Sequence, residues 1–181
     1  MGDPAAELEG GRREKDAFYL VSPESPLDEE DKVDFKGLKY FPYDEKYRVR
    51  ARFVPYENPA EIVMTTSKGL GQVFLAVGYF EFEMEGKKLT LQAYQSPHGL
   101  HTTGYFVPFR DATSGKESYD YGRYLEVHEG ARVRENEFIL DFNVSYNPYC
   151  AYNEKHACPF PPPENTLDVE IRAGEKKYRE A

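Results

Sequence analysis

Residues 72–94 read QVFLAVGYFEFEMEGKKLTLQAY, and the apolar period along them is two rather than 3.6. Phe74, Ala76, Gly78, Phe80, Phe82 and Met84 fall on one face. The other face runs Val73, Leu75, Val77 and Tyr79, then switches to Glu81, Glu83 and Glu85. This pattern predicts a strand buried on both sides in its first half and on one side in its second, with Gly78 as a bend. Glu85-Gly86 supplies a two-residue turn into a further strand, Lys87–Tyr94. The register that follows sets Phe82 opposite Leu89, Phe80 opposite Leu91 and Gly78 opposite Ala93.

The same period extends in both directions. Tyr47, Val49, Ala51 and Phe53 alternate with Arg48, Arg50 and Arg52, and Ile62–Thr66 is short and β-branched. Downstream, Tyr105–Phe109, Arg123–His128, Phe138–Phe142 and Leu167–Ile171 alternate between Gly, Pro and Asn punctuation. No long amphipathic helix separates them, which argues against a parallel βαβ sheet. The expectation is a mainly β chain, an antiparallel barrel or sandwich of about eight strands after a short N-terminal helical segment. Arg12–Leu20 reads as one helix. Ser25-Pro26-Leu27-Asp28 reads as the start of a second, ending near Asp34, with Ser25 as its cap and Pro26 at its first position. Residues 1–11 contain Gly2, Pro4, Gly10 and Gly11 and are expected to be flexible, leaving 12–181 as a single β-rich domain.

Charge bounds the partners. The 181 residues carry a net −9, concentrated in residues 1–34, which hold 11 acidic and 4 basic side chains against 21 and 19 in the rest. Without a basic stretch the chain lacks the footprint that nucleic acid requires. Its longest uncharged apolar run, Val73–Phe80, is far too short to span a bilayer, so no membrane association is expected. The acidic start MGDPAAELE has no apolar stretch, so no export signal and a cytoplasmic location are expected. The assembly expected is a monomer or weak homo-oligomer.

Three polar features need a reading. Arg48, Arg50 and Arg52 stand about 6.5–7 Å apart along one strand face, as an anion-binding wall or as partners of the matching row Glu81/Glu83/Glu85; we favour the pairing. His98 and His101 lie in the loop Ser96–Thr102 without zinc-type spacing around them, and read as solvated loop histidines. Cys150 and Cys158 flank a stretch ending His156-Ala157. A disulfide here would add about 2.5 kcal/mol on chain-entropy grounds, but only where the compartment is oxidising. A metal could take both thiolates and His156, yet a fourth ligand is missing. A reactive thiol would need a neighbouring cation or helix N-terminus. The expectation is two cysteines close enough to bridge on oxidation, with no metal and no cofactor.

Longer motifs run through the chain. PFRDATSGKESY (108–119), GRYL (122–125), DFNVSYNPYCAY (141–152) and CPFPPPEN (158–165) resemble those of domain-of-unknown-function family 1684, a family of uncharacterised archaeal and bacterial proteins. Lys15-Asp16, Ser25-Pro26-Leu27, FKGLKYFP (35–42) and Ala173-Gly-Glu-Lys176 resemble its beginning and end. The resemblance covers nearly the whole chain. It implies one full-length domain, assigns no activity, and directs attention to two polar loops.

Those loops carry the candidate site. Segment 110–123 brings Asp111, Thr113, Ser114, Glu117, Tyr119 and Arg123. Segment 143–165 brings Asn143, Tyr146, Asn147, Tyr152, Glu164 and Asn165. Aromatic rings with a few polar groups are the usual lining of a small-molecule pocket. Arg123 beside the Thr-Ser-Gly turn, with Ser114, would anchor an anionic group. Asn143, Asn147 and Asn165 would orient the ligand, and Tyr119, Tyr146 and Tyr152 would form the walls. Asp111, Glu117 and Glu164 are the candidate acid/base groups. Two function classes stand open: a small-ligand-binding domain, with catalysis undecided, or a structural or interaction domain in which these residues only lock loops.

Overall fold

The structure, a computed structural model, describes residues 2–98 and 103–180; His101 lies outside them, and His98 is exposed. Its centre is the hairpin read from the sequence. Strand β2 (Gly71–Met84) turns at Glu85-Gly86 into β3 (Lys87–Gln95), and Phe82–Leu89, Phe80–Leu91 and Gly78–Ala93 are cross-strand partners. Glu85 and Gly86 both have positive φ, 53° and 74°, as the tight hairpin turn demands.

The bend at Gly78 does more than curve the strand. Pairing with β3 slips between Ala76 and Gly78, so that Ala76 faces Tyr94 and Gly78 faces Ala93. Adjacent residues of β3 point to opposite faces, so the bulge sends Phe74 and Ala76 to one side of the sheet and Phe80 and Phe82 to the other. The single face expected for Phe74–Met84 is thus divided. Phe74 packs with Met64, Tyr94, Phe106 and Tyr124, whereas Phe80 and Phe82 join the main core. A side chain at Gly78 would put its Cβ 2.4 Å from the Val54 carbonyl oxygen and 2.7 Å from the Phe53 ring.

Among the described residues, seven strands form one antiparallel sheet. They are β1 (Arg48–Thr65), β2, β3, β4 (Tyr105–Phe109), β5 (Arg123–Val127), β6 (Arg132–Arg134) and β7 (Glu137–Asp141), in the order β5-β4-β3-β2-β1-β7-β6. The two segments 47–53 and 62–66 are one strand, β1, whose register with β2 shifts between Pro55 and Ala60. The sheet is open, which corrects the barrel. Its edge strand β6 has three exposed residues and offers no closing ladder.

The sandwich and the eighth strand are corrected together. Leu167, Val169, Ile171 and Ala173 are buried in the main core against Phe80, Leu91 and Phe138, but they form no strand. Alternation reports which side is buried; a ladder also needs a free strand edge. Here the backbone groups go to a loop instead: Leu167 N–H to the Arg110 carbonyl (2.8 Å), Ala112 N–H to the Val169 carbonyl (2.8 Å) and Ile171 N–H to Asp111 Oδ2 (2.7 Å). The second layer is an extended tail.

Helix α1 spans Pro4–Val21, beginning well before Arg12 and running through Gly10-Gly11. Asp3 caps it, accepting from Ala5 N–H at 3.1 Å, and Pro4 takes the first turn. That start signal outweighs two glycines, each costing about 1 kcal/mol in a helix interior. Helix α2 is shorter than expected, Glu29–Val33. Ser25 is not its cap, because its hydroxyl donates to the Tyr19 carbonyl at 2.6 Å and accepts from Leu27 N–H.

The arginine row pairs, though not as a matching row. Arg52 meets Glu81 at 2.9 Å, but Arg48 meets Asp141 at 3.2 Å and Arg50 meets Glu137 at 2.7 Å, because β7 lies on the other side of β1. Arg50 is largely exposed, so Arg50→Ala is expected to change the unfolding free energy by less than about 1 kcal/mol. Urea unfolding at constant m value checks this.

Candidate functional site

The polar residues singled out in the two loops are mostly turned inward. Arg123 opens β5 and is fully buried. Its Nη1 donates to the carbonyls of Ala173 and of Glu175, the latter at 3.1 Å. Nη2 donates to the Ile171 carbonyl at 2.8 Å and to Asp111 Oδ1 at 3.2 Å. This guanidinium holds the C-terminal tail, not a ligand. Asp111 is closed as well, accepting from Thr113 N–H (3.1 Å), Thr113 Oγ1 (2.8 Å) and Ile171 N–H. Ser114 serves the same turn, accepting from Asp111 N–H at 3.1 Å.

The amides follow suit. Asn143 binds both backbone groups of Asp44, each at 3.0 Å. Asn165 is fully buried and accepts from Gln92 N–H (2.8 Å) while donating to the carbonyls of Gln92 and Pro108, tying β3 to β4. Asn147 Nδ2 donates to the Lys176 carbonyl and to the Tyr152 hydroxyl. Tyr146 donates to Glu126 at 2.7 Å. Glu117 pairs with Arg172 at 2.9 Å near the surface, and Glu164 is exposed in the turn Pro163–Asn165. The three carboxylates proposed as acid/base groups are not brought together, and Arg123 is not open to an anion.

A buried carboxylate escaped the sequence reading. Glu175 is 1% exposed, accepts from Lys15 Nζ and, through Oε2, from the Tyr152 hydroxyl (2.5 Å) and Asn147 N–H (2.8 Å). No pattern signals a pair 160 positions apart. Burial and the Glu175 charge push the Tyr152 hydroxyl well above the ordinary tyrosine range.

What the two segments do enclose is a cleft. About 980 Å³ lies between Tyr119–Tyr121, the stretch Cys150–Lys155, Phe160 and the tail Lys177–Glu180, with Ser67, Lys68, Asp28 and Asp31 at its rim. Tyr121 stacks on Phe160 with centroids 4.6 Å apart, and Tyr119 meets Tyr121 edge-on at 5.7 Å. Three ion pairs hold the rim: Lys155–Asp28 at 3.0 Å, Arg179–Asp31 at 2.8 Å and Lys177–Asp120 at 2.7 Å. Of the residues nominated from sequence, Tyr119, Tyr152 and Cys150 line it. A smaller cavity of about 450 Å³ lies beside α1, with its Lys15–Glu175 and Arg48–Asp141 charges already paired.

Cys150 lines the cleft and meets Cys158 behind it. Cys150 N–H donates to Cys158 Sγ at 3.2 Å, and both are free thiols. The Tyr119 hydroxyl lies 3.6 Å from Cys150 Sγ. Contact with the Cys158 thiol, helped by the hydroxyls of Tyr119 and Ser67, pulls Cys150 down to about 6 against the opposing effect of burial. The same contact and burial push Cys158 up. The sequence reading asked for a neighbouring cation or a helix N-terminus; the side chains that lower Cys150 are instead a thiol and two hydroxyls. Among the described residues, no group of three or more His, Cys, Asp or Glu is placed to hold a metal ion, and no helix is long and apolar enough to cross a membrane.

Comparison with known proteins adds the lineage. Residues 33–176 match the family described as "Protein of unknown function (DUF1684)". The chain belongs to this family. The solution NMR structure of an uncharacterized protein from gene locus rrnAC0354 of Haloarcula marismortui is similar to it, with 37% identity and a TM-score of 0.73 over 94% of this chain and 92% of that one. A comparison with curated proteins gives no match.

Proposed function

We propose that this DUF1684 member is a small-molecule-binding domain whose ligand occupies the cleft between segments 119–121 and 150–160. The observation that supports this is the cleft itself. It combines the Tyr121–Phe160 stack, a second aromatic wall at Tyr119 and fixed charges of both signs at the rim. An apolar platform with a few oriented polar groups is what a small ligand uses. The anchoring charges in this reading are Lys155 and Arg179, which pair with Asp28 and Asp31 but, unlike the fully buried Arg123, keep half or more of the side chain exposed. A cytoplasmic monomer or weak homo-oligomer goes with it, and light scattering reads the assembly.

A second reading, a structural domain whose polar residues only lock loops, is favoured by Arg123, Asn143, Asn147 and Asn165, each of which donates to backbone carbonyls, although Arg123 Nε and Asn147 Oδ1 stay unpartnered among the described residues. For those four residues we adopt it; the ligand reading rests on the cleft alone. A thermal-shift screen against a metabolite library separates the two. A ligand at a hundred times its Kd adds about 2.7 kcal/mol. Hits are expected whose shift is lost in Tyr121→Ala, a residue half exposed in the free protein. A library without a hit, or hits indifferent to this substitution, removes the reading.

A further inference from the structure

We propose that Cys150 and Cys158 are a reactive dithiol that exchanges with low-molecular-weight disulfides entering the cleft, Cys150 attacking and Cys158 resolving. This chemistry shares the cleft of the proposed function but needs neither its ligand nor its aromatic platform.

Geometry carries it. Cys150 stands in the short turn Tyr149–Ala151 and lines the cleft, whereas Cys158 does not line it. The two are held together from outside their own loop: Cys158 N–H donates to Ser67 Oγ (3.1 Å), Ser67 N–H donates to the Cys158 carbonyl (2.9 Å), and Ser67 Oγ donates to the His156 carbonyl (2.9 Å). The turn between β1 and β2 therefore clamps the cysteine loop shut. Ionisable groups from other elements bear on the pair: Tyr119 beside Cys150 Sγ, Tyr124, whose hydroxyl donates to the Pro159 carbonyl at 2.5 Å, and, lining the same cleft as Cys150, Lys68, Asp28 and the Lys177–Asp120 pair. Burial raises both tyrosines, so they stay protonated and can donate to or screen a thiolate without adding negative charge. His156 meets Tyr149 edge-on at 5.2 Å, on the same loop.

The asymmetry fits the division of labour. A thiolate is the nucleophile, and hydrogen bonds to Cys150 favour its ionised form near neutrality. Cys158, pushed up, keeps its proton until the second step. The Cys150 thiolate attacks one sulfur of R–S–S–R. That bond breaks, RS⁻ leaves and takes a proton from water, and a mixed disulfide remains on Cys150. Cys158 then attacks Cys150 Sγ, its proton passing to the second departing thiolate. Two protein thiols are oxidised to one disulfide, and R–S–S–R is reduced to two RSH.

The test uses the full chain and hydroxyethyl disulfide, read by intact mass and peptide mapping. Wild-type protein is expected to lose two hydrogen atoms, retain no adduct, and yield a peptide pair linked through Cys150 and Cys158. Cys158→Ser is expected to keep one adduct, on Cys150. Cys150→Ser is expected to react at least about tenfold more slowly than Cys158→Ser at pH 7. The wild-type rate is expected to be half-maximal well below the ordinary thiol range, and Cys158→Ala should move that midpoint up toward it, because the resolving thiol is itself the main donor to Cys150. Adduct on Cys158 as fast as on Cys150, reaction only in denaturant, or a wild-type midpoint near 9 would each overturn the proposal. None of these outcomes bears on the Tyr121→Ala screen, so the two readings fail separately.

Discussion

Arg123→Met is expected to lower the unfolding free energy by about 3–5 kcal/mol, the cost of breaking a buried pair from one side. Methionine fills much of the same volume, so the loss isolates the guanidinium rather than a cavity. Asp111 would keep its bonds from Thr113 and Ile171 but lose, among the described residues, its one cationic partner at zero exposure. The carbonyls of Ile171, Ala173 and Glu175 would each lose a donor inside the core. An orphaned buried polar group costs about 1–3 kcal/mol, so even partial relaxation leaves a large effect. The pair need not be more stabilising than an apolar substitute of both residues would be. Asp111→Asn combined with Arg123→Met should therefore cost less than the two singles added. Urea unfolding measures the loss, and hydrogen exchange should show the Glu175 amide, which donates to the Ser145 carbonyl within the released stretch, losing protection. A loss below about 1 kcal/mol would show that the tail is held by its apolar side chains alone.

How much of this was open to sequence reasoning varies by residue. The Glu85-Gly86 hairpin is legible because turn chemistry and alternation, two independent signals, require the same register. The tail 167–171 is misleading because burial alternates there just as in a strand while its hydrogen bonds go to the Arg110–Ala112 loop. The division of β2 into two faces depends on a bulge that Gly78 permits but does not specify. At the candidate site, both segments contribute to the wall of the cleft, while most of the polar side chains singled out in them turn into the fold. A guanidinium fork donates to carbonyls or to a ligand carboxylate equally well, and only the fold decides which it meets. Lys155, Arg179 and Asp28 could not be found, since the pairs that set the cleft rim join positions distant in the chain. Glu175 and Lys15 are hidden for the same reason.

Gly174→Ala is expected to be comparable to the loss of Arg123, about 2–6 kcal/mol, from two causes that add. The residue has φ +76°, where a non-glycine backbone costs about 1–3 kcal/mol. A Cβ there would also lie 2.2 Å from Ser145 Oγ, 2.5 Å from the Ser145 carbonyl oxygen and 2.9 Å from the Phe142 carbonyl oxygen. The hydroxyl could rotate away, but the two carbonyls are backbone, and overpacking of this kind costs about 1–3 kcal/mol. Gly115 is the internal control: φ is +83° and nothing lies within 4 Å of where a Cβ would stand, so Gly115→Ala should show the backbone cost alone. Gly174 also accepts from Phe41 N–H at 2.9 Å and sits between the two carbonyls that Arg123 holds through Nη1. Displacing it should loosen the same latch, so Gly174→Ala and Arg123→Met together should cost less than their sum. Equal losses at Gly174 and Gly115 would mean that the tail shifts freely over Ser145, and the latch would then be softer than its hydrogen bonds imply.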